Sequence, residues 1–150
     1  MEYFNYDLIV AGWFDQPNFE KVIAEKIKGN KRIHYLGYQK DVGSLLNAST
    51  CIVLPSYYAE GVPRSLIEGL GMSKVIITTD HKGCKETCIN NKNGYLVEPR
   101  SVRSIEENFI KFNSLTSEEV EQMQNESLNL FEQSFDKDKV YQTIKDAINL

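Results

Sequence analysis

Apolar residues recur through the first hundred positions in two alternating rhythms. Short runs bounded by Gly or Pro read as strands: Leu8-Ile9-Val10-Ala11, Ile33-His34-Tyr35-Leu36, Cys51-Ile52-Val53-Leu54, Val75-Ile76-Ile77-Thr78 and Tyr95-Leu96-Val97. Between most of them the apolar positions fall three and four apart. Phe19, Val22, Ile23 and Ile27 share one helix face, as do Val42, Leu45 and Leu46, and then Leu66, Ile67 and Leu70. Strands that alternate with helices imply right-handed βαβ units and a mostly parallel sheet. The predicted fold class is α/β, a Rossmann-like parallel sheet of about five strands flanked by helices.

After Pro99 the rhythm is helical only. Ser101 caps a run carrying Ile105, Phe109, Ile110 and Phe112. Thr116-Ser117-Glu118-Glu119 is a helix-start signal for Val120, Met123, Leu128 and Phe131, and Asp136 can cap a last helix with Val140, Ile144 and Ile148. These segments read as packing elements. With no internal repeat and no Pro/Gly/Ser-rich linker, residues 1–150 are expected to form one domain, with a βα core over 1–100 and a helical tail over 101–150.

Composition narrows the function classes. The 150 residues are 41% hydrophobic and 25% charged, an ordinary globular balance. Seventeen basic against twenty-one acidic residues give a formal charge of -4, with no excess of Lys or Arg to track a nucleic-acid backbone. No apolar run approaches the roughly 18 residues of a membrane span, and MEYFNYDLIV places charge where a signal peptide needs an apolar stretch. A cytoplasmic chain is expected. Cys51 sits in an apolar run, and Cys84 and Cys88 have no second pair or suitably spaced His, so free thiols fit better than a metal or redox site.

In an open parallel sheet, ligands bind beyond the carboxyl ends of the strands, where loop amides and helix N-termini point. Five loops qualify: the segments beginning at Gly12, Gly37, Pro55, Thr79 and Glu98. The third, Pro55-Ser56-Tyr57-Tyr58-Ala59-Glu60-Gly61-Val62-Pro63, is the densest. Pro63 suits the first helical turn, and Gly61 permits close approach of a ligand. Glu60 before that N-terminus and Glu68 after it would bracket a small polar ligand, since a carboxylate can accept two coplanar hydrogen bonds from vicinal hydroxyls. Taken alone, the two glutamates fit solvated surface positions better than a binding pair, and it is the surrounding segments that change this. His34 lies mid-strand and fits a packed or edge position, while His81 has no orienting partner in sequence.

Taken together, PSYYAEGVPRSLIEG, KVIITTD, GCKE and NGYLVEP resemble the carboxyl-terminal, nucleotide-sugar-binding domain of retaining GT-B glycosyltransferases of family four. Ile33-His34-Tyr35-Leu36-Gly37 extends the resemblance upstream, so it covers about residues 7 to 100. It implies one half of a GT-B fold and transfer of a sugar from a nucleoside diphosphate, UDP in the first instance, to a glycan or lipid-linked acceptor in cell-surface polysaccharide assembly. Glu68 would accept the donor ribose hydroxyls. Glu60, the implied catalytic residue, would meet the transferred sugar, with Gly61, Val62, Pro63 and Ser56 lining the same pocket. Thr79 and the loop to Gly83 match the segment facing the diphosphate, and Gly37 and Tyr38 the loop approaching the base. No metal or other cofactor is implied, in keeping with the lack of an Asp-x-Asp triplet.

The chain also departs from that pattern. Relatives usually carry Ala-Met-Ala after the second Glu. Here Gly69-Leu70-Gly71 stands in that place, and two helical glycines cost roughly 1 kcal/mol each against Ala, predicting a weakened helix. Lys82-Gly83 replaces a Gly-Gly pair and adds a charge that can meet phosphate. The family's opening strand with its Gly-Arg and Lys, and the amino-terminal acceptor domain, have no counterpart, so either this is a fragment or a companion chain supplies them. Without that central strand the sheet could close in the order 2-1-3-4-5 or leave a gap. Membrane contact would be indirect, at the inner face through the absent domain. The competing functions are a non-catalytic nucleotide-sugar-binding or regulatory module and a flavodoxin-like or receiver domain. The latter is weakened by Trp13-Phe14-Asp15 standing where an acidic pair belongs.

Overall fold

The computed structural model describes residues 6–13, 17–58 and 61–147. The elements run β1 (Leu8–Ala11), α1 (Pro17–Ile27), β2 (Ile33–Gly37), α2 (Val42–Ala48), β3 (Cys51–Leu54), α3 (Arg64–Gly71), β4 (Val75–Thr79), β5 (Gly94–Val97), α4 (Val102–Asn113), α5 (Ser117–Ser134) and α6 (Lys137–Ala147). All five predicted strands are present, each within one residue of its expected bounds. They form two parallel sheets, β1-β2 and β3-β4-β5, and no ladder joins β1 to β3 among the described residues. Of the two arrangements foreseen without a central strand, the hydrogen-bonded 2-1-3-4-5 order is not formed. The chain divides into two compact units at Val42 and Gly43.

In the first unit, β1 and β2 pair in parallel from Leu8↔Ile33 to Ala11↔Gly37, with an irregularity after Val10. The Gly12 amide continues the ladder onto the Gly37 carbonyl at 2.9 Å. Of the predicted apolar face of α1, Ile23 and Ile27 are half-buried, whereas Phe19 and Val22 remain exposed.

The second unit is built around β4, whose five residues are all buried between β3 and β5. Alternation sends its side chains to two cores. Ile76 faces α3 with Leu66, Leu70 and Ile52, joined by Leu130 and Phe131 of α5. Val75 and Ile77 face the other way with Tyr95, Val97, Phe112, Val120 and Met123. Helix α5 reaches both clusters because it crosses the amino-terminal ends of the strands. Gln124 donates to the Thr50 carbonyl before β3 at 3.5 Å, and the Ser127 hydroxyl to the Lys74 carbonyl before β4 at 2.7 Å. The amino-terminal edge is thereby closed and the carboxyl edge is left to loops.

The predicted helix starts are formed. Ser101 Oγ accepts the Ser104 amide at 3.1 Å, and Asp136 Oδ1 the Asp138 amide at 3.0 Å. Thr116 and Glu119 make a reciprocal capping box, with the Thr116 amide bonded to Glu119 Oε2 at 2.7 Å and the Glu119 amide to Thr116 Oγ1 at 3.2 Å. Those bonds to the ionised form, from the Thr116 amide first and its hydroxyl second, hold the Glu119 carboxyl below the usual range.

The glycines of α3 are not the weak points that propensity alone implies. A Cβ on Gly69 would lie 2.9 Å from Ile52 Cγ2 and 3.4 Å from Ile76 Cδ1, so glycine is what lets α3 lie this close to the sheet. Ile52 is β-branched and has little freedom to yield. Gly69→Ala is therefore expected to lower stability by about 1 kcal/mol, overpacking outweighing the helix-propensity gain. Gly71→Ala, whose Cβ would meet only the Phe131 ring at 3.1 Å, should change it less. Urea midpoints of the two variants test this, and a stabilised Gly69→Ala would contradict it.

Candidate functional site

The carboxyl edge of the second unit gathers most of the implicated residues. After β3 the chain passes through Pro55 and half-buried Ser56 to Tyr57 and Tyr58, and resumes in the description at Gly61. Glu60, the implied catalytic residue, lies outside the described residues. Pro63 stands one position earlier than expected, as the N-cap of α3 and not in its first turn, with φ −62° and ψ 127°. Its carbonyl accepts the amides of Leu66 at 3.1 Å and Ile67 at 3.2 Å. The amides of Arg64 and Ser65 precede the first intrahelical bond and face outward from the helix end. An added Cβ at Gly61 would meet nothing within 4 Å, and its φ is not left-handed. The fold itself does not require glycine there, which leaves close approach of another molecule as a reason for it. Val62 is half-buried beside it.

Glu68 projects from the second turn of α3. Arg64, one turn earlier, donates Nε to Glu68 Oε1 at 2.9 Å. The carboxylate is 39% exposed and the arginine 91%. No bond engages Glu68 Oε2 among the described residues, so the group is oriented by one oxygen and open at the other. The exposed pair itself contributes little to stability. Arg64 is a residue that sequence reasoning overlooked, although its spacing four before Glu68 is a legible signal.

The loop after β4 is internally bonded. The Asp80 amide donates to the Val97 carbonyl at 2.8 Å and the His81 amide to the Thr79 carbonyl at 2.7 Å. Gly83, with φ 94°, donates its amide to Glu86 Oε2 at 2.7 Å. Glu86 thus fixes the loop, and the Lys82 side chain, exposed to solvent, is the group the loop offers outward. Thr79 shares the face of Val75 and Ile77, so its hydroxyl points away from α3; Thr79 Oγ1 is buried and has no hydrogen-bond partner among the described residues. Lys85 and Asp80 stand 3.9 Å apart.

Gly37 and Tyr38 belong to the first unit, at the carboxyl end of β2. Gly37 takes a left-handed φ of 63°. Tyr38 is exposed, its ring 5.5 Å from that of Trp13 at 48°. Trp13, at the end of β1, is the second residue the sequence reading passed over as a site candidate.

The remaining candidates serve structure. Cys84 and Cys88 are buried in the α3 core as thiols, neither in a disulfide. Burial pushes the Cys88 thiol up to about 12, so it holds its proton at neutral pH. His34 is exposed on β2, its Nε2 3.5 Å from Asp7. Among the described residues no helix is long and apolar enough to cross a membrane.

Both the sequence and the fold of this chain have counterparts among known proteins. The sequence profile of the family "Glycosyl transferases group 1" matches residues 2–129, and the chain belongs to that family. It is 35% identical over 75 residues to a Campylobacter jejuni N,N'-diacetylbacillosaminyl-diphospho-undecaprenol alpha-1,3-N-acetylgalactosaminyltransferase, a match covering 50% of this chain and 20% of that one. The chain spans about a fifth to a quarter of the length of the curated relatives it matches. Its fold is similar to that of Anabaena HepE, solved in complex with UDP, with a TM-score of 0.84 and 19% identity over 96% of this chain and 41% of that one. A glycosyltransferase of Rickettsia africae gives a TM-score of 0.83 and 24% identity over 95% and 39% of the two chains. The α/β class with parallel strands flanked by helices is that of these enzymes.

Proposed function

We propose that this chain is the donor-binding half of a retaining glycosyltransferase that moves a sugar from a nucleoside diphosphate to a glycan or lipid-linked acceptor in cell-surface polysaccharide assembly. The observation that carries the reading is Glu68, oriented by Arg64 through one oxygen with the other open, on a helix whose first amides face the same edge. That geometry suits a ribose diol beside a diphosphate. UDP and UDP-glucose complexes of HepE support the choice of ligand. In this reading Glu68 Oε2 accepts the ribose hydroxyls, and the α3 amides with the Lys82 ammonium meet the charge that grows on the leaving diphosphate. Glu60 contacts the transferred sugar. No metal is required.

Calorimetry with UDP and a UDP-sugar tests this directly. Glu68→Ala should weaken both ligands alike, by roughly 1.5 to 3 kcal/mol, the value of hydrogen bonds to a charged acceptor. Glu60→Ala should weaken only the sugar conjugate. Excess chelator should leave both affinities within about twofold of their starting values, far from the tenfold that 1.4 kcal/mol represents. A Glu68→Ala protein that melts normally and binds both ligands as before would remove the basis for the reading.

A further inference from the structure

The carboxyl edge carries a second constellation that the donor reading does not use. Tyr57 and Tyr58, in the loop after β3, stack with ring centroids 4.4 Å apart at 27°. Their hydroxyls are bonded to each other at 3.1 Å. From the loop after β5, the Arg100 guanidinium lies over the Tyr57 ring, 4.6 Å from its centroid. Arg100 takes a left-handed φ of 59°, a conformation that a long side chain rarely adopts. The three groups bridge from β3 to β5 across the end of β4. Tyr58 nevertheless remains 67% exposed and Tyr57 41%.

Two features point to a ligand. A guanidinium over a ring is commonly also tied to a carboxylate, but no acidic group pairs with Arg100 among the described residues. Its planar set of donors is thus held in place by the ring and open outward. The exposed Tyr58 ring supplies a rigid apolar face with a hydroxyl at its margin, a surface that orders few rotors on binding. An apolar face flanked by fixed donors complements a pyranose, which has one face of C–H bonds and a rim of hydroxyls. A lipid surface would call for Trp, Phe or Leu beside the cation. Here the ring hydroxyls are paired and the neighbouring segment reads Glu98-Pro99-Arg100-Ser101.

We propose that Tyr57, Tyr58 and Arg100 form a saccharide subsite that seats a pyranose of the acceptor, stacked on Tyr58 and hydrogen-bonded by Arg100. The assignment to the acceptor rests on the donor-domain reading, while the saccharide binding does not. It is tested by two-dimensional NMR of the whole chain with methyl glycosides of glucose, galactose and their N-acetylamino forms, titrated without nucleotide. At least one glycoside should shift the signals of Tyr58 and of Arg100 Nε–H. Tyr58→Ala should weaken it about fivefold, which corresponds to about 1 kcal/mol. Tyr58→Phe should retain most of the affinity, and Arg100→Ala should also weaken binding. Both Tyr58 and Arg100 are exposed, so an unchanged melting transition is expected for each variant. Absence of any glycoside binding, equal binding by folded Tyr58→Ala, or shifts produced only by anionic phosphatidylglycerol vesicles would each overturn the proposal. A separate UDP titration reports on the donor reading. Glycoside binding without UDP binding would sink that reading and the acceptor assignment while leaving a saccharide subsite.

Discussion

Gly94→Ala is expected to remove the cooperative fold of the second unit, a loss of about 4 kcal/mol or more. Gly94 opens β5 beside Ile76 of β4. A Cβ there would fall onto the Ile76 carbonyl oxygen, 2.6 Å from the carbonyl carbon and 2.8 Å from the amide nitrogen. All three atoms belong to the backbone of the central buried strand, so no rotamer change can make room. The ladder between β4 and β5 must part, and with it the tie from the Ile76 amide to the Asn93 carbonyl at 3.0 Å. Urea denaturation followed by circular dichroism would check it. A midpoint close to that of the parent protein would show that the strands can separate at little cost.

The second large effect belongs to the preceding residue. Asn93 is fully buried and uses both ends of its amide. Its Nδ2 donates to the Thr87 carbonyl at 3.1 Å and to Ser127 Oγ at 3.3 Å, while Oδ1 accepts the Ile89 amide at 2.6 Å. Ser127 passes the connection on to Lys74 before β4. Asn93→Ala should cost about 3 kcal/mol, because it strands the carbonyl of buried Thr87 as well as losing the bonds to Ile89 and Ser127. Asn93→Asp adds a signature in pH. Burial would raise the new carboxyl above its unfolded value, so the folded state binds more protons and stability falls as pH rises through that range. Denaturation of both variants at acidic and neutral pH distinguishes them: Asn93→Asp should recover on acidification and Asn93→Ala should not. Equal pH profiles would contradict this account of the network.

These two residues show how a family signature divides between chemistry and construction. Asn93-Gly94 contributed to the resemblance as firmly as Glu60 and Glu68 did, yet it lies at the closed amino-terminal edge, where α5 crosses the strands, and carries no ligand chemistry. In the same way Glu86, in the Gly-Cys-Lys-Glu segment, is spent on the Gly83 amide. A motif read along the chain records which residues are required and not what requires them.

The sequence by itself determined the local structure. Five strands, the α3 helix and the caps at Ser101, Thr116 and Asp136 follow from apolar spacing and from side chains that bond amides within three positions, interactions that close within a few residues. It also determined the family, because an ordered set of short motifs survives without knowledge of their geometry. Tertiary structure decided what depends on distant partners. It split the strands into two sheets, since pairing is a relation between segments. It turned Gly69 from a weakened helix position into a close contact with Ile52, visible only when α3 lies on β3. It sent the Thr79 hydroxyl to the face away from α3, and set Arg100 over Tyr57 from forty-three positions away along the chain. Such contacts join residues whose separation in sequence carries no periodic trace, so only the folded chain brings them together.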